Sequence, residues 1–264
     1  MKKHFSLFLI SILVIGLLAA CGTGQKDSAK DGNGADGKKV LIMGTSADYP
    51  PFEYVDTAKS DEIIGFDVDL AKAIAGKLGY KVQVKDIEFS GLVQALKSGQ
   101  VDFVLAGMTP TEDRKKNVDF SDIYYTAKHM IVSKKDSGIK SLEDLKGKTV
   151  GVQLGSIQEG KAKEIRKKVD MKIENRNRVP ELIQEIMTGR FDAAIIEDTV
   201  AKGYFKKEKN LTGFTISDNP EEAGSAIAFP KNSKLTKDFN KVLNEMKKNG
   251  ELDKLIVKWF GGGK

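Results

Sequence analysis

The chain has 264 residues, 40% of them apolar and 30% charged, which suits two ordinary cores and excludes an intrinsically disordered polypeptide. One cysteine excludes an internal disulfide framework and a cysteine-cluster metal site, and two histidines, one of them His4, argue against a histidine zinc site or a Ser/His/Asp triad. The formal charge of +6 is spread over interspersed acids and bases without a long aromatic-laced basic tract, so nucleic acid is not the expected partner. No cofactor or metal is expected either.

Lys2 and Lys3 precede an apolar run over residues 5–18 that ends in Leu18-Ala19-Ala20-Cys21. A basic start, a short apolar stretch and small residues predict an export signal over residues 1–20. The run is shorter than the roughly 20 apolar residues that span a bilayer. Leu-Ala-Ala-Cys resembles the bacterial lipobox, whose cysteine is lipidated and becomes the first residue. Cys21 is thus the expected anchor, against the alternative of a plain membrane helix with an incidental cysteine. Residues 21–38 hold no large apolar side chain beyond the cysteine and read as a flexible tether.

Residues 40–43 read as a buried strand ending at Gly44. Residues 66–78 have helical spacing, with Val68, Leu70, Ala71, Ile74, Ala75 and Leu78 on one side and Gly79 as the stop. A strand is predicted from residue 81 to 84, a helix around 92–96 closed by Ser98-Gly99, and a strand over 101–106. This βαβαβ rhythm predicts a mainly parallel sheet flanked by helices. It then recurs: Leu92, Gln94, Gly99, Asp102 and Thr109 return in register as Leu182, Gln184, Gly189, Asp192 and Thr199. Coincidence of α/β patterns is one explanation; two lobes of one architecture is the other. The two-lobed division places residues 39–128 plus 225–264 in lobe one and 129–224 in lobe two. Two crossings form the hinge, and the helical residues 235–260 pack on lobe one. In such sheets ligands sit at the carboxyl ends of strands.

Thr109-Pro110-Thr111-Glu112-Asp113-Arg114 has Thr109 as a candidate N-cap, Pro110 as first helical residue and Glu112 as capping-box partner. Free N–H groups at a helix start favour an anion, and a guanidinium matches a carboxylate bidentately. Ser156 and Glu159 form a second capping box from lobe two. Two helix ends and Arg114 across a cleft describe a pocket for a small carboxylate. Ordinary caps, with Arg114 paired to Asp113 or Glu112, are the alternative.

The motifs Tyr49-Pro50-Pro51-Phe52-Glu53, Gly65-Phe66-Asp67-Val68-Asp69-Leu70, Gly107-Met108-Thr109-Pro110-Thr111-Glu112-Asp113-Arg114 and Gly151-Val152-Gln153-Leu154-Gly155-Ser156 stand in this order. Together they resemble the polar amino-acid-binding proteins of ABC importers, solute-binding protein family 3, over residues 40–260. With the lipobox, the chain resembles the arginine-type binding lipoproteins of Gram-positive bacteria. The resemblance implies an α/β, periplasmic-binding-protein-like fold of two lobes, a monomeric body on the outer face of the cell membrane, and ABC permease subunits as partners. It implies capture of a free L-amino acid and no catalysis, although dehydratases share the scaffold.

By the same resemblance Arg114 clamps the α-carboxylate with Thr109 and Ser156, and Gly107 presents backbone to the ligand. Glu197 replaces the family's usual Asp at the α-ammonium, with Asp198 as a neighbouring alternative. Tyr49 and Phe89 flank the side chain, although Phe89 equally suits core packing. Asp67 matches a family position and also begins a helix. Ser46, Gln153 and Gln158 add neutral hydrogen-bonding groups. Asp67 and Glu53, with the two aromatics, supply a lining for a cation. Arginine is therefore the expected ligand, with glutamine, histidine or cystine as alternatives.

Overall fold

A computed structural model describes residues 39–216 and 224–261. The predicted leader, Cys21 and the tether lie outside the described residues. Among the described residues no helix is long and apolar enough to cross a membrane.

Two five-stranded sheets share one plan. The first has the order Lys81–Asp86, Val40–Thr45, Phe103–Val104, Ala228–Pro230, Val118–Phe120. Its first three strands are parallel, and Ala228–Pro230 runs antiparallel to both neighbours. The second has the order Lys172–Arg176, Thr149–Gln153, Ala193–Glu197, His129–Lys134, Leu211–Thr215, again with three parallel strands and an antiparallel fourth. The fold is the two-lobed, periplasmic-binding-protein-like α/β architecture.

The internal repeat has a physical cause. The helices Leu92–Lys97 and Val179–Thr188 are followed by turns through Gly99 (φ 69°) and Gly189 (φ 79°), left-handed conformations that glycine adopts at little cost. Three residues on, the Asp102 carboxylate accepts the Ile42 N–H at 2.6 Å and the Asp192 carboxylate accepts the Thr149 N–H at 2.8 Å. Each aspartate also donates its own N–H to the same neighbour's carbonyl, at 2.8 and 2.9 Å. Gly-x-x-Asp thus docks the third strand of each lobe against the first. The strand expected over 101–106 is shorter, Phe103–Val104, and starts after Asp102, which uses a side chain in place of one ladder bond.

The helix Phe66–Lys77 buries Leu70 and Ile74 completely, each worth about 1.5–3 kcal/mol relative to exposure. It has no side-chain cap. Its first N–H groups donate to the Pro51 and Phe52 carbonyls at 3.0 and 2.9 Å, which fixes the Tyr49–Glu53 turn against it. The helix Lys234–Lys248 brings Phe239 to 5.0 Å from Phe103 and 5.3 Å from Phe229, ring centre to ring centre. The last helix, Glu251–Phe260, hydrogen-bonds Trp259 to Asp69 at 2.8 Å and sets Phe260 5.0 Å from Phe66. Tyr125–Thr126 pairs antiparallel with Gly224–Ser225 where the chain crosses between the sheets, and His129 opens the strand that follows.

One local expectation is corrected. Thr109 is not a helix cap, and Pro110 is not helical. The N-cap is Thr111, whose hydroxyl accepts the Arg114 N–H at 3.3 Å, and the helix Glu112–Lys115 is a single turn. Pro110 keeps Thr109 out of the helical region, and the cap moves to the next threonine. Glu112 pairs with Lys115 at 2.9 Å instead of closing a box.

Candidate functional site

Ser46, Tyr49, Phe89, Gly107, Thr109, Arg114, Gln153, Ser156, Gln158 and Glu197 line one cavity. They come from both lobes and from the carboxyl ends of their strands: Val40–Thr45 leads to Ser46, Lys81–Asp86 to Phe89, Thr149–Gln153 ends on Gln153, and Ala193–Glu197 ends on Glu197. Asp48, Glu53, Ala106 and Ile157 complete the wall. Asp67 does not reach the cavity; it lies behind Glu53, fully buried.

Arg114 spans the cleft. One terminal nitrogen donates to the Thr109 carbonyl at 2.8 Å and the other to the Gly155 carbonyl of the second lobe at 2.9 Å. Its guanidinium carbon lies 5.2 Å from the centre of the Phe89 ring, a cation–π distance. Phe89 also packs with Leu92 and Met108, so it is both core and wall. Burial lowers the Arg114 pKa to about 10, which leaves it charged at neutral pH. Each terminal nitrogen keeps one further N–H for an anion. Opposite stands the start of the helix Ile157–Arg166, where the Ser156 hydroxyl accepts the Glu159 N–H at 3.3 Å and donates to the Gln153 carbonyl at 2.7 Å. Its first-turn amides have no intrahelical acceptors.

The far side of the cavity is acidic. Glu197 is 2% exposed, and burial with help from Asp198 and Asp67 pushes its pKa up to about 8, while the Tyr49 hydroxyl favours its charged form. Asp198 turns away, accepting the Lys128 N–H at 3.0 Å and Lys202 at 2.6 Å. Glu53 is 1% exposed. Burial first, then the charges of Asp67, Asp48 and Glu197, raises its pKa far above the usual range. Asp67, raised to about 6 by burial, accepts the Gly107 N–H at 2.9 Å and the Tyr124 hydroxyl at 2.8 Å. Among the described residues, both Glu53 oxygens, Glu197 Oε2 and the Thr109 hydroxyl are buried with no hydrogen-bond donor or acceptor opposite them. No cluster of potential metal ligands occurs among the described residues.

Asp48 carries no motif signal, yet it ties the lobes together. It accepts the Ser46 hydroxyl at 2.6 Å, the Val179 N–H at 2.7 Å and the Gln153 amide at 3.3 Å. At the rim, Arg178 of the second lobe grips Asp86 with two hydrogen bonds, at 2.8 and 3.1 Å, and reaches the Ser46 hydroxyl at 3.3 Å. Asn177 meets Glu88 at 3.1 Å beside it.

Residues 41–262 match the model of the bacterial extracellular solute-binding proteins, family 3. The chain is 60% identical over 263 residues to the arginine-binding extracellular protein ArtP of Bacillus subtilis (strain 168), covering 99% of this chain and all of that protein. It is similar to a solved ancestral arginine-binding protein bound to arginine, with 46% identity, a TM-score of 0.78, and coverage of 84% of this chain and 98% of that one. A solved ancestral arginine-binding protein bound to glutamine matches with 46% identity, a TM-score of 0.76 and the same coverage. With a match spanning nearly the whole body, this chain belongs to the bacterial extracellular solute-binding proteins of family 3.

Proposed function

We propose that the protein captures L-arginine between its lobes and delivers it to the membrane subunits of an ABC importer. It is a binding protein rather than an enzyme. The observation that carries the ligand is the set of orphaned polar groups on one cavity: Glu53, Glu197 and Thr109, facing a single guanidinium. A zwitterion occupies Arg114 with its carboxylate and Glu197 with its ammonium. Ser156 and the helix start behind it complete the carboxylate end, the Gly107 carbonyl is left for the ammonium because its N–H goes to Asp67, and Tyr49 and Phe89 enclose the aliphatic stem. Asp48 is already satisfied by Ser46, Val179 and Gln153, so Glu53 is left to meet a cationic side chain. ArtP is named for arginine binding. Closure needs no chemistry: contacts made in both lobes stabilise the shut form.

Calorimetric titration of ligand-stripped protein with each amino acid tests this reading. Arginine should bind most tightly. Tight glutamine or cystine binding without a response to arginine overturns it. Glutamine is the second reading, supported by the glutamine complex of an ancestral arginine-binding protein and by a neutral form of Glu53.

The body works as a monomer tethered to the outer face of the membrane by lipid on Cys21, two acyl chains holding far better than one. Cys21→Ser should release the protein into the medium, read by fractionation and immunoblot; full membrane retention would refute the anchor.

A further inference from the structure

Two acids share one buried corner of the arginine pocket. Glu53 lines the cavity, and Asp67 stands behind it on the helix Phe66–Lys77. Two carboxylates offer each other only acceptors. Both Glu53 oxygens are buried without a hydrogen-bond partner, and a carboxyl group so placed among acids is held neutral, so Glu53 carries a proton. Asp67 keeps its charge more readily, because the Gly107 N–H and the Tyr124 hydroxyl favour it. Around Glu53 stand Asp48 and Tyr49 from the preceding turn, Tyr124 and Asp67 from the core side, and Glu197 from the second lobe. His129 lies across the strand pair from Glu197. Arg114 is the cation on the cavity wall, and it is engaged by carbonyls.

We propose that Glu53 exchanges its proton for the ligand's side-chain charge, so that capture of a cationic amino acid releases a proton that capture of a neutral one does not. This inference rests on the arginine reading above. Charged, Glu53 pairs with a guanidinium; protonated, it is a neutral donor and acceptor suited to a carboxamide. One residue in two protonation states thereby sets the preference between arginine and glutamine. The raised pKa of Glu53 supports the protonated state before binding. The released proton passes to buffer. By linkage, arginine affinity rises with pH by up to about tenfold per unit while Glu53 remains protonated in the unliganded protein.

The test is calorimetry with arginine and with glutamine in buffers of different ionisation enthalpy, between pH 6 and 8. The slope of observed enthalpy against buffer enthalpy counts protons. Glu197 meets an α-ammonium in either ligand, so the difference between the two slopes isolates Glu53. Arginine should release up to one proton more than glutamine. Glu53→Gln should erase that difference and flatten the pH dependence of arginine binding. Asp67→Asn keeps an acceptor for Gly107 and Tyr124 and removes a negative charge near Glu53, so it should lower the extra release near neutral pH while arginine still binds. Tight arginine binding with slopes equal to those of glutamine overturns the proton exchange and leaves the arginine reading standing. No arginine binding at all overturns both.

Discussion

Arg114→Ala should raise the dissociation constant for arginine at least about 30-fold, with about 4000-fold as the upper end. Truncating one member of a buried, hydrogen-bonded charge pair costs about 2–5 kcal/mol, and about 1.4 kcal/mol is tenfold in affinity. Two losses combine in this variant. The carboxylate loses its bidentate donor, and the lobes lose the bond from the guanidinium to the Gly155 carbonyl. Arg114→Lys should recover only part of the affinity. A point charge with three donors cannot hold the Thr109 and Gly155 carbonyls and still present a flat pair of N–H groups. Calorimetry on both variants, with circular dichroism as the check on folding, decides it. An unchanged affinity in the alanine variant would mean that the ligand lies elsewhere.

The largest effect on stability should come from Gly65→Ala. Gly65 has φ 141°, and a Cβ there would stand 2.0 Å from the Phe52 carbonyl oxygen and 2.9 Å from the Glu53 nitrogen. Both contacts are backbone, so no side chain can turn aside. The close approach exists because the helix Phe66–Lys77 docks its first N–H groups on the Pro51 and Phe52 carbonyls. Relief would break those bonds and move Glu53 out of the cavity wall. A cost of about 4 kcal/mol or more is expected, the range reserved for identifiable backbone or core damage. For a body of this size that lowers Tm by roughly 10 °C. Gly76→Ala, eleven residues on and inside the helix, is the control: nothing lies within 4 Å of its Cβ position. That substitution should stabilise by about 0.5–1 kcal/mol. Thermal denaturation of the two variants should move in opposite directions, and a Gly65→Ala melting point near that of the parent would contradict the clash.

The pattern of legibility follows from sequence distance. The strand before Gly44, the helix from Phe66 and the Gly-x-x-Asp turns were readable because periodicity and turn chemistry are local. Arg114 and Ser156 stand in motifs whose residues meet in one cavity, and Glu197 joins them from the end of its strand. Thr109 misled because a threonine three residues before an acid looks like a cap. The deciding fact was the second threonine two positions on. Asp48 was invisible for a different reason. Its partners Gln153 and Val179 lie 105 and 131 residues away, and no local pattern encodes a bond that forms only when two lobes meet. Asp67 was legible as a motif position but not as a residue behind the wall. Its place depends on Gly107 and Tyr124, which reach it from two other segments.

The rim contacts of Arg178 with Asp86, and of Asn177 with Glu88, join protein to protein and include no cavity residue. They favour the same lobe arrangement whatever cargo lies inside. Holding strength is then the sum of what the cargo touches and what the clasp at the edge contributes, and the second part can change without altering selectivity. A shift of about 1.4 kcal/mol at the clasp rescales every cargo's retention tenfold alike. Evolution can in this way match the pace of unloading to a particular importer by editing Asn177 or Glu88 while the chemistry of choice stays fixed.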